Sequence, residues 1–215
     1  MAVAERVERL RARVADAGGD PDRITIVGAK PPSVDACRAA IAAGIVDLGE
    51  NRAQELLAKA PEVGGARWHF IGRLQTNKVR ALAGHVAMWQ SVDRVDVVDA
   101  LAARAPAADV LVQVNVSAEA QKGGCRPDDT GALVRAAVAA GLRVRGLMAI
   151  GPPGAPEDAR PGFRLLRALA DDHDLEIRSM GMSADLEVAV QEGSTMIRVG
   201  TDLFGPRRSA ELRPD

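Results

Sequence analysis

The 215-residue chain contains no tyrosine, and Trp68, Trp89 and three phenylalanines are its only aromatics, 2% of the whole. The missing phenol removes one common proton donor and acceptor from any catalytic scheme. Lysine is nearly as scarce: Lys30, Lys59, Lys78 and Lys122 stand among 28 lysines and arginines. Cys37 falls in a helical pattern and Cys125 in a polar loop, each without a second cysteine nearby, which argues against a disulfide framework. His69, His85 and His173 share no ligand spacing, so no metal site is expected. No apolar run approaches the roughly 20 residues of a membrane-crossing helix, and the amphipathic opening Met-Ala-Val-Ala-Glu-Arg is unlike a secretion signal. A net charge of -1 and a pI near 6.3 offer no basic surface to nucleic acid or to an acidic membrane. A cytoplasmic protein is expected.

What is present is a regular alternation. Val3, Val7, Leu10 and Val14 recur at spacings of three and four within 2–17, and Gly18-Gly19 ends the run, which predicts an N-terminal helix over 1–18. Short β-branched segments follow near 24–29, 45–48, 67–71, 86–92, 109–116, 144–150, 175–180 and 195–199, separated by alanine- and leucine-rich stretches. The runs at 110–116 and 144–150 are almost continuously apolar, as in strands covered on both faces. Eight such strands alternating with helices predict a single (β/α)8 TIM barrel spanning 1–215, with an extra helix before it and a polar tail over 206–215. No Gly-x-Gly-x-x-Gly turn follows the first strand, which counts against a dinucleotide-binding sheet. No apolar surface stripe is left once the barrel is assigned, so a monomer is expected.

Parallel strands in a barrel all open on one rim, which is where the chemistry is sought. Lys30 ends the first strand. A lysine kept where arginine is the default cation suggests a need for a primary amine, because a guanidinium stays protonated and forms no imine. A solvated rim lysine is the plainer reading, and position alone does not choose between them. Lys59 and Lys78 read as solvated charges near helix C-terminal turns, and Lys122 lies in a glycine-rich loop on the same rim. Late in the chain, Ser179-Met-Gly-Met-Ser183 and Arg198-Val-Gly-Thr201 place small donors at the ends of strands seven and eight, the recurrent phosphate position of barrels. Ser183 reads as the N-cap of a helix over 184–191. Arg198 is expected to point inward, toward a ligand or a carboxylate inside the barrel. After strand two, Glu50 is placed to pair with a cation, and Asn51 to cap the next helix or reach a ligand. A molecule carrying both an aldehyde and a phosphate suits an amine facing an anion cradle, and pyridoxal 5'-phosphate (PLP) is such a molecule.

From Ile24 to Gly205 the chain resembles the pyridoxal phosphate homeostasis proteins, which are similar to the N-terminal barrel of bacterial alanine racemase. The resemblance is carried by Val27-Gly-Ala-Lys30, Gly49-Glu-Asn51, Trp68-His-Phe-Ile-Gly-Arg-Leu-Gln-Thr-Asn-Lys78, Ser91-Val-Asp93, Gln113-Val-Asn115, Ser179-Met-Gly-Met-Ser183 and Arg198-Val-Gly-Thr201. It implies that Lys30 carries PLP as an aldimine, that Ser183, Gly200 and Thr201 hold the phosphate, that Arg198 approaches the pyridine nitrogen, and that Asn51 belongs to the site. An arginine at that nitrogen disfavours its protonation and weakens the ring as an electron sink. The chain departs from the family at Ala29, often a hydroxyl residue, at Pro32, often a second lysine, and at Arg52, commonly an aromatic. Those departures leave Lys122 as the better candidate for transient PLP contact.

Three functions compete. A carrier holds PLP and delivers it to apo PLP-dependent enzymes, with no catalytic residue of its own. A racemase of the alanine racemase type needs a base on each face of the substrate; its second base is a tyrosine from an additional domain, and neither is found in this sequence. A Schiff-base aldolase of the barrel type places its lysine late in the strand order, unlike Lys30. The carrier is preferred.

Overall fold

The computed structural model describes residues 1–117, 119 and 123–206. Its first element, α1 (Val3–Asp16), buries Val7, Leu10 and Val14 on one stripe and begins where the Glu5 carboxylate accepts the Ala2 N–H at 3.2 Å. Eight strand–helix units then follow. They are β1 (Thr25–Ala29) and α2 (Val34–Ala42), β2 (Asp47–Glu50) and α3 (Ala53–Lys59), β3 (Arg67–Phe70) and α4 (Thr76–Leu82), β4 (Val86–Val92) and α5 (Val95–Arg104). The second half comprises β5 (Asp109–Gln113) and α6 (Thr130–Ala139), β6 (Arg143–Met148) and α7 (Arg160–Asp172), β7 (Ile177–Ser179) and α8 (Leu186–Gln191), and β8 (Met196–Val199) with α9 (Thr201–Phe204). Every neighbouring pair is parallel and β8 closes on β1. The expected (β/α)8 barrel with its extra N-terminal helix is therefore present.

Strand alternation divides the side chains into two layers. Val27, Met88, Leu111, Met148 and Met196 form one apolar cluster inside the barrel, with Ile150 and Ile177 against it. The opposite strand faces, among them Ile26, Leu48, Trp68, Trp89, Leu147 and Ile197, pack beneath the helices. The helix after β8 has only four residues, and α1 contacts α9, α2 and α8, so it covers the gap that a full eighth helix would fill.

Two details differ from the sequence expectation. β5 stops at Gln113 rather than 116, because the chain beyond it pairs with residues that return from the following loop: Val114 bridges Cys125, and Asn115 N donates to Cys125 O at 2.9 Å. Cys125 is thus a buried bridge residue and not part of a polar loop. Lys122 and most of the 206–215 tail lie outside the described residues.

Candidate functional site

All eight strands run the same way, so Lys30, Asn51, Ser183, Gly200 and Thr201 meet at their C-terminal rim. Val27 pairs with Arg198 and Gly28 with Val199, which carries Ala29 and Lys30 alongside Gly200 and Thr201. Contact at this level is close: a Cβ on Gly200 would lie 2.9 Å from the Ala29 carbonyl oxygen, so a side chain there would force the strand ends apart. Lys30 itself has φ 55°, the left-handed region that L-residues seldom occupy, and its N–H is fixed on Gly49 O at 2.7 Å. Such backbone strain at a non-glycine residue collects at functional sites. The half-buried Lys30 side chain has no hydrogen-bond or ion-pair partner among the described residues, leaving its amine for a ligand.

Arg198 points into the barrel and is 4% exposed. Its Nη1 donates to Ser179 Oγ at 2.6 Å and Ser179 O at 2.8 Å, and its Nη2 to Ala149 O at 2.8 Å. Nε and the second Nη2 proton have no acceptor among the described residues. Burial pulls this guanidinium down to about 10, partly offset by the field of Asp185, so it remains a cation at neutral pH. The ion pair with an interior carboxylate that the sequence left open does not form among the described residues.

The rim beneath Ser183 and Thr201 is tied together by Arg13 of α1, which sequence reading missed. Arg13 grips the Glu187 carboxylate from Nε at 2.6 Å and Nη2 at 2.9 Å, pairs with Asp202, and donates to Ser183 O at 3.1 Å. The bond to Glu187 is the main cause that raises the Arg13 pKa and lowers that of Glu187. One arginine from the extra helix therefore holds α8, α9 and the turn between β7 and α8 in register.

A family model described as the alanine racemase N-terminal domain matches residues 2–208. The pyridoxal phosphate homeostasis protein of Pseudomonas aeruginosa is 43% identical over 220 residues, covering 95% of this chain and 96% of that one. Its counterpart in Aquifex aeolicus is 41% identical over 94% and 95% of the two chains. The chain belongs to the pyridoxal phosphate homeostasis proteins. Among solved structures, Synechococcus elongatus PipY with PLP bound superposes with a TM-score of 0.81 at 31% identity, covering 94% of this chain and all of that one.

Four expectations about individual residues are corrected. Ser183 does not cap the helix that follows it: Asp185 accepts the Met182 N–H at 2.6 Å and holds a turn, so α8 starts at Leu186, and the Ser183 hydroxyl instead accepts the first-turn Asp202 N–H of α9 at 3.3 Å. Asn51 caps nothing either; the position before α3 is Arg52, and the exposed Asn51 amide has no partner among the described residues. Lys78 sits in the first turn of α4, not near its C-terminus, because the chain stays non-helical from Ile71 to Gln75.

The fourth is Lys59, which is not a solvated charge. Its side chain is 12% exposed, donating to Glu50 Oε1 at 2.6 Å and to Pro31 O at 2.5 Å. The expected cation partner of Glu50 is thus Lys59, and together they clasp the loop just after Lys30. Glu50 is fully buried, its Oε2 has no hydrogen-bond partner among the described residues, and burial outweighs Lys59 in raising its pKa to about 7. The same environment pushes the Cys37 thiol up to about 11, chiefly by burial.

Two clefts of about 180 and 560 Å³ open elsewhere, lined at the strand starts by Thr25 and Asp47 and by Val86 and Asp109. They lie at the opposite end from Lys30. Neither combines an amine with small anion donors, so the rim remains the candidate site on chemical grounds.

Proposed function

We propose that this protein binds PLP covalently through Lys30 and serves as a cytoplasmic, monomeric carrier that supplies the cofactor to apo PLP-dependent enzymes. The observation that carries this reading is a strained, partnerless lysine amine on the same rim as a buried arginine with spare donors. When bound, PLP contributes an aldehyde that condenses with a primary amine and a ring that accepts electron density. The residues present suit it. Lys30 would supply the amine, the spare Arg198 protons would suit an acceptor nitrogen, and Gly200, Thr201 and Ser183 would supply the anion cradle. Asn51 adds an uncommitted amide at the end of β2.

A cationic Arg198 at the ring nitrogen opposes placing a proton there, since two positive charges would share a dry site. That restrains carbanion chemistry and favours storage. Racemisation would further need a second base opposite Lys30, and the sequence supplies no tyrosine. Intact mass before and after borohydride reduction tests the reading: one PLP-sized adduct mapping to Lys30 is expected, and its absence would refute the assignment. Conversion of L- to D-alanine at enzyme-like rates would instead favour the racemase.

The Arg13 clamp yields a separate expectation. Arg13→Ala removes no group that touches the ligand, yet it leaves Glu187 and Asp202 uncompensated beneath the phosphate cradle. PLP affinity measured by titration is expected to fall about tenfold, about 1.4 kcal/mol, with the loss shrinking at high salt.

A further inference from the structure

Arg198 presents an energetic problem that its local contacts do not solve. A guanidinium removed from water and given only carbonyl and hydroxyl acceptors is costly, and buried cations are ordinarily matched by a carboxylate. No carboxylate lies within ion-pair distance among the described residues, and the field of Asp185 offsets the burial only in part. The hydrogen bonds leading away from it lead to one, four residues on.

Arg198 Nη1 donates to Ser179 Oγ at 2.6 Å. The Ser179 hydroxyl donates to Gln90 Oε1 at 2.7 Å. Gln90 Nε2 faces His69 Nδ1 at 2.6 Å, and His69 Nε2 faces Asp47 Oδ1 at 2.8 Å. The same Gln90 Nε2 also points at Met196 Sδ, 3.2 Å away, a weak acceptor, which orients the amide with its nitrogen toward the histidine. His69 Nδ1 must then accept, and the imidazole proton sits on Nε2 and is donated to Asp47. Every bond consequently donates in one direction, from the guanidinium to the carboxylate. Ser179, Gln90 and His69 are all 0% exposed, and Asp47 lies at the strand starts, where Arg67 Nε approaches it at 3.4 Å.

We propose that Ser179, Gln90, His69 and Asp47 are positioning residues that hold the Arg198 guanidinium in place across the barrel, joining the ligand rim to a carboxylate at the opposite end. Aligned bonds in a medium of low dielectric polarise one another, so the chain acts as a dispersed ion pair that leaves the remaining Arg198 protons free for a ligand. The consequence for PLP rests on the carrier reading above: loosening the chain would weaken the hold of Arg198 on the ligand. The consequence for Arg198 itself does not depend on any ligand.

The test begins with ligand-free protein. Nitrogen-15 NMR of the His69 ring is expected to show the neutral form protonated at Nε2, and a proton on Nδ1 would overturn the proposal. Gln90→Leu cuts the chain at its centre; exchange of the Arg198 Nε proton with solvent is expected to accelerate at least about tenfold, and the PLP dissociation constant to rise about tenfold. Asp47→Asn keeps an acceptor for His69 but removes the distant charge, and an intermediate change of about threefold is expected at Arg198. Met88→Leu, inside the barrel but outside the chain, is expected to change neither measurement. Unchanged Arg198 exchange in both Gln90→Leu and Asp47→Asn would overturn the proposal, and Asp47→Asn decides alone if Gln90→Leu does not fold. Wild-type protein that fails to bind PLP while Arg198 exchange still responds would refute the carrier reading and leave the positioning chain standing.

Discussion

Lys30→Ala is expected to fold as stably as the wild type, within about 0.5 kcal/mol in urea denaturation, and to lose covalent PLP completely. Alanine and lysine meet the left-handed backbone at φ 55° with the same Cβ, so the strain is carried over unchanged. The Lys30 amine has no partner among the described residues, so its removal orphans no hydrogen bond. Against that structural neutrality, the visible absorbance of the bound cofactor and the borohydride-stable adduct should vanish. Residual PLP held by the anion cradle and Arg198 should bind at least about 100-fold more weakly, a loss of about 2.7 kcal/mol. Lys30→Arg sharpens the test: it keeps the positive charge near the phosphate but does not form an imine. It should behave like alanine in the adduct assay; an adduct formed elsewhere in either variant would remove Lys30 from its proposed role.

Lys59→Met is expected to cost about 3 kcal/mol of stability at pH 8, the scale of a buried ion pair that loses one partner. Glu50 is fully buried, with one oxygen bonded to Lys59 and the other without a hydrogen-bond partner among the described residues. Deleting the ammonium leaves either a bare charge or a carboxyl that must take up a proton. The pH dependence follows from the direction of its shift. In the fold, Glu50 is raised from 4.5 to about 7, so the folded state holds its proton more tightly than the unfolded chain does. Its contribution is fully present below about pH 4.5 and is lost as pH rises through about 7, a change of about 3 kcal/mol at most. The Lys59→Met deficit should therefore be smaller at pH 5 than at pH 8, and adding Glu50→Gln should recover most of it. Equal deficits at both pH values would show that Lys59 acts through the Pro31 carbonyl and not through Glu50. Because Lys59 also holds that carbonyl, the same variant should loosen the Lys30 loop and speed PLP release.

The rim was legible in the sequence for a definite reason. Strand ends in a parallel barrel share one face, so finding Lys30 after β1 and glycine with hydroxyl residues after β7 and β8 brings them together without any knowledge of side-chain packing. Residues whose roles depend on that packing were misread. Lys59 stands in a helical pattern that looks exposed, and only the closeness of α3 to the Pro31 loop buries it. Ser183 has the composition of a helix cap, but the neighbouring Asp185 takes the first turn. Arg13 looked like one more charge on an amphipathic helix, and no local pattern links it to Glu187 and Asp202, 174 and 189 positions away.

The amino-acid order alone determined the barrel, its extra helix and the strand that leads into Lys30, because hydrophobic periodicity and small rim residues are local signals that survive without coordinates. The partners of the buried charges were decided only by the tertiary structure. Asp47, His69, Gln90, Ser179 and Arg198 come from five different strands, and strand parity shows merely that each side chain faces inward. Closure of the barrel sets their heights and separations to within hydrogen-bond reach, and the donor and acceptor capacity of Ser179 and Gln90 then carries the direction proposed for the chain.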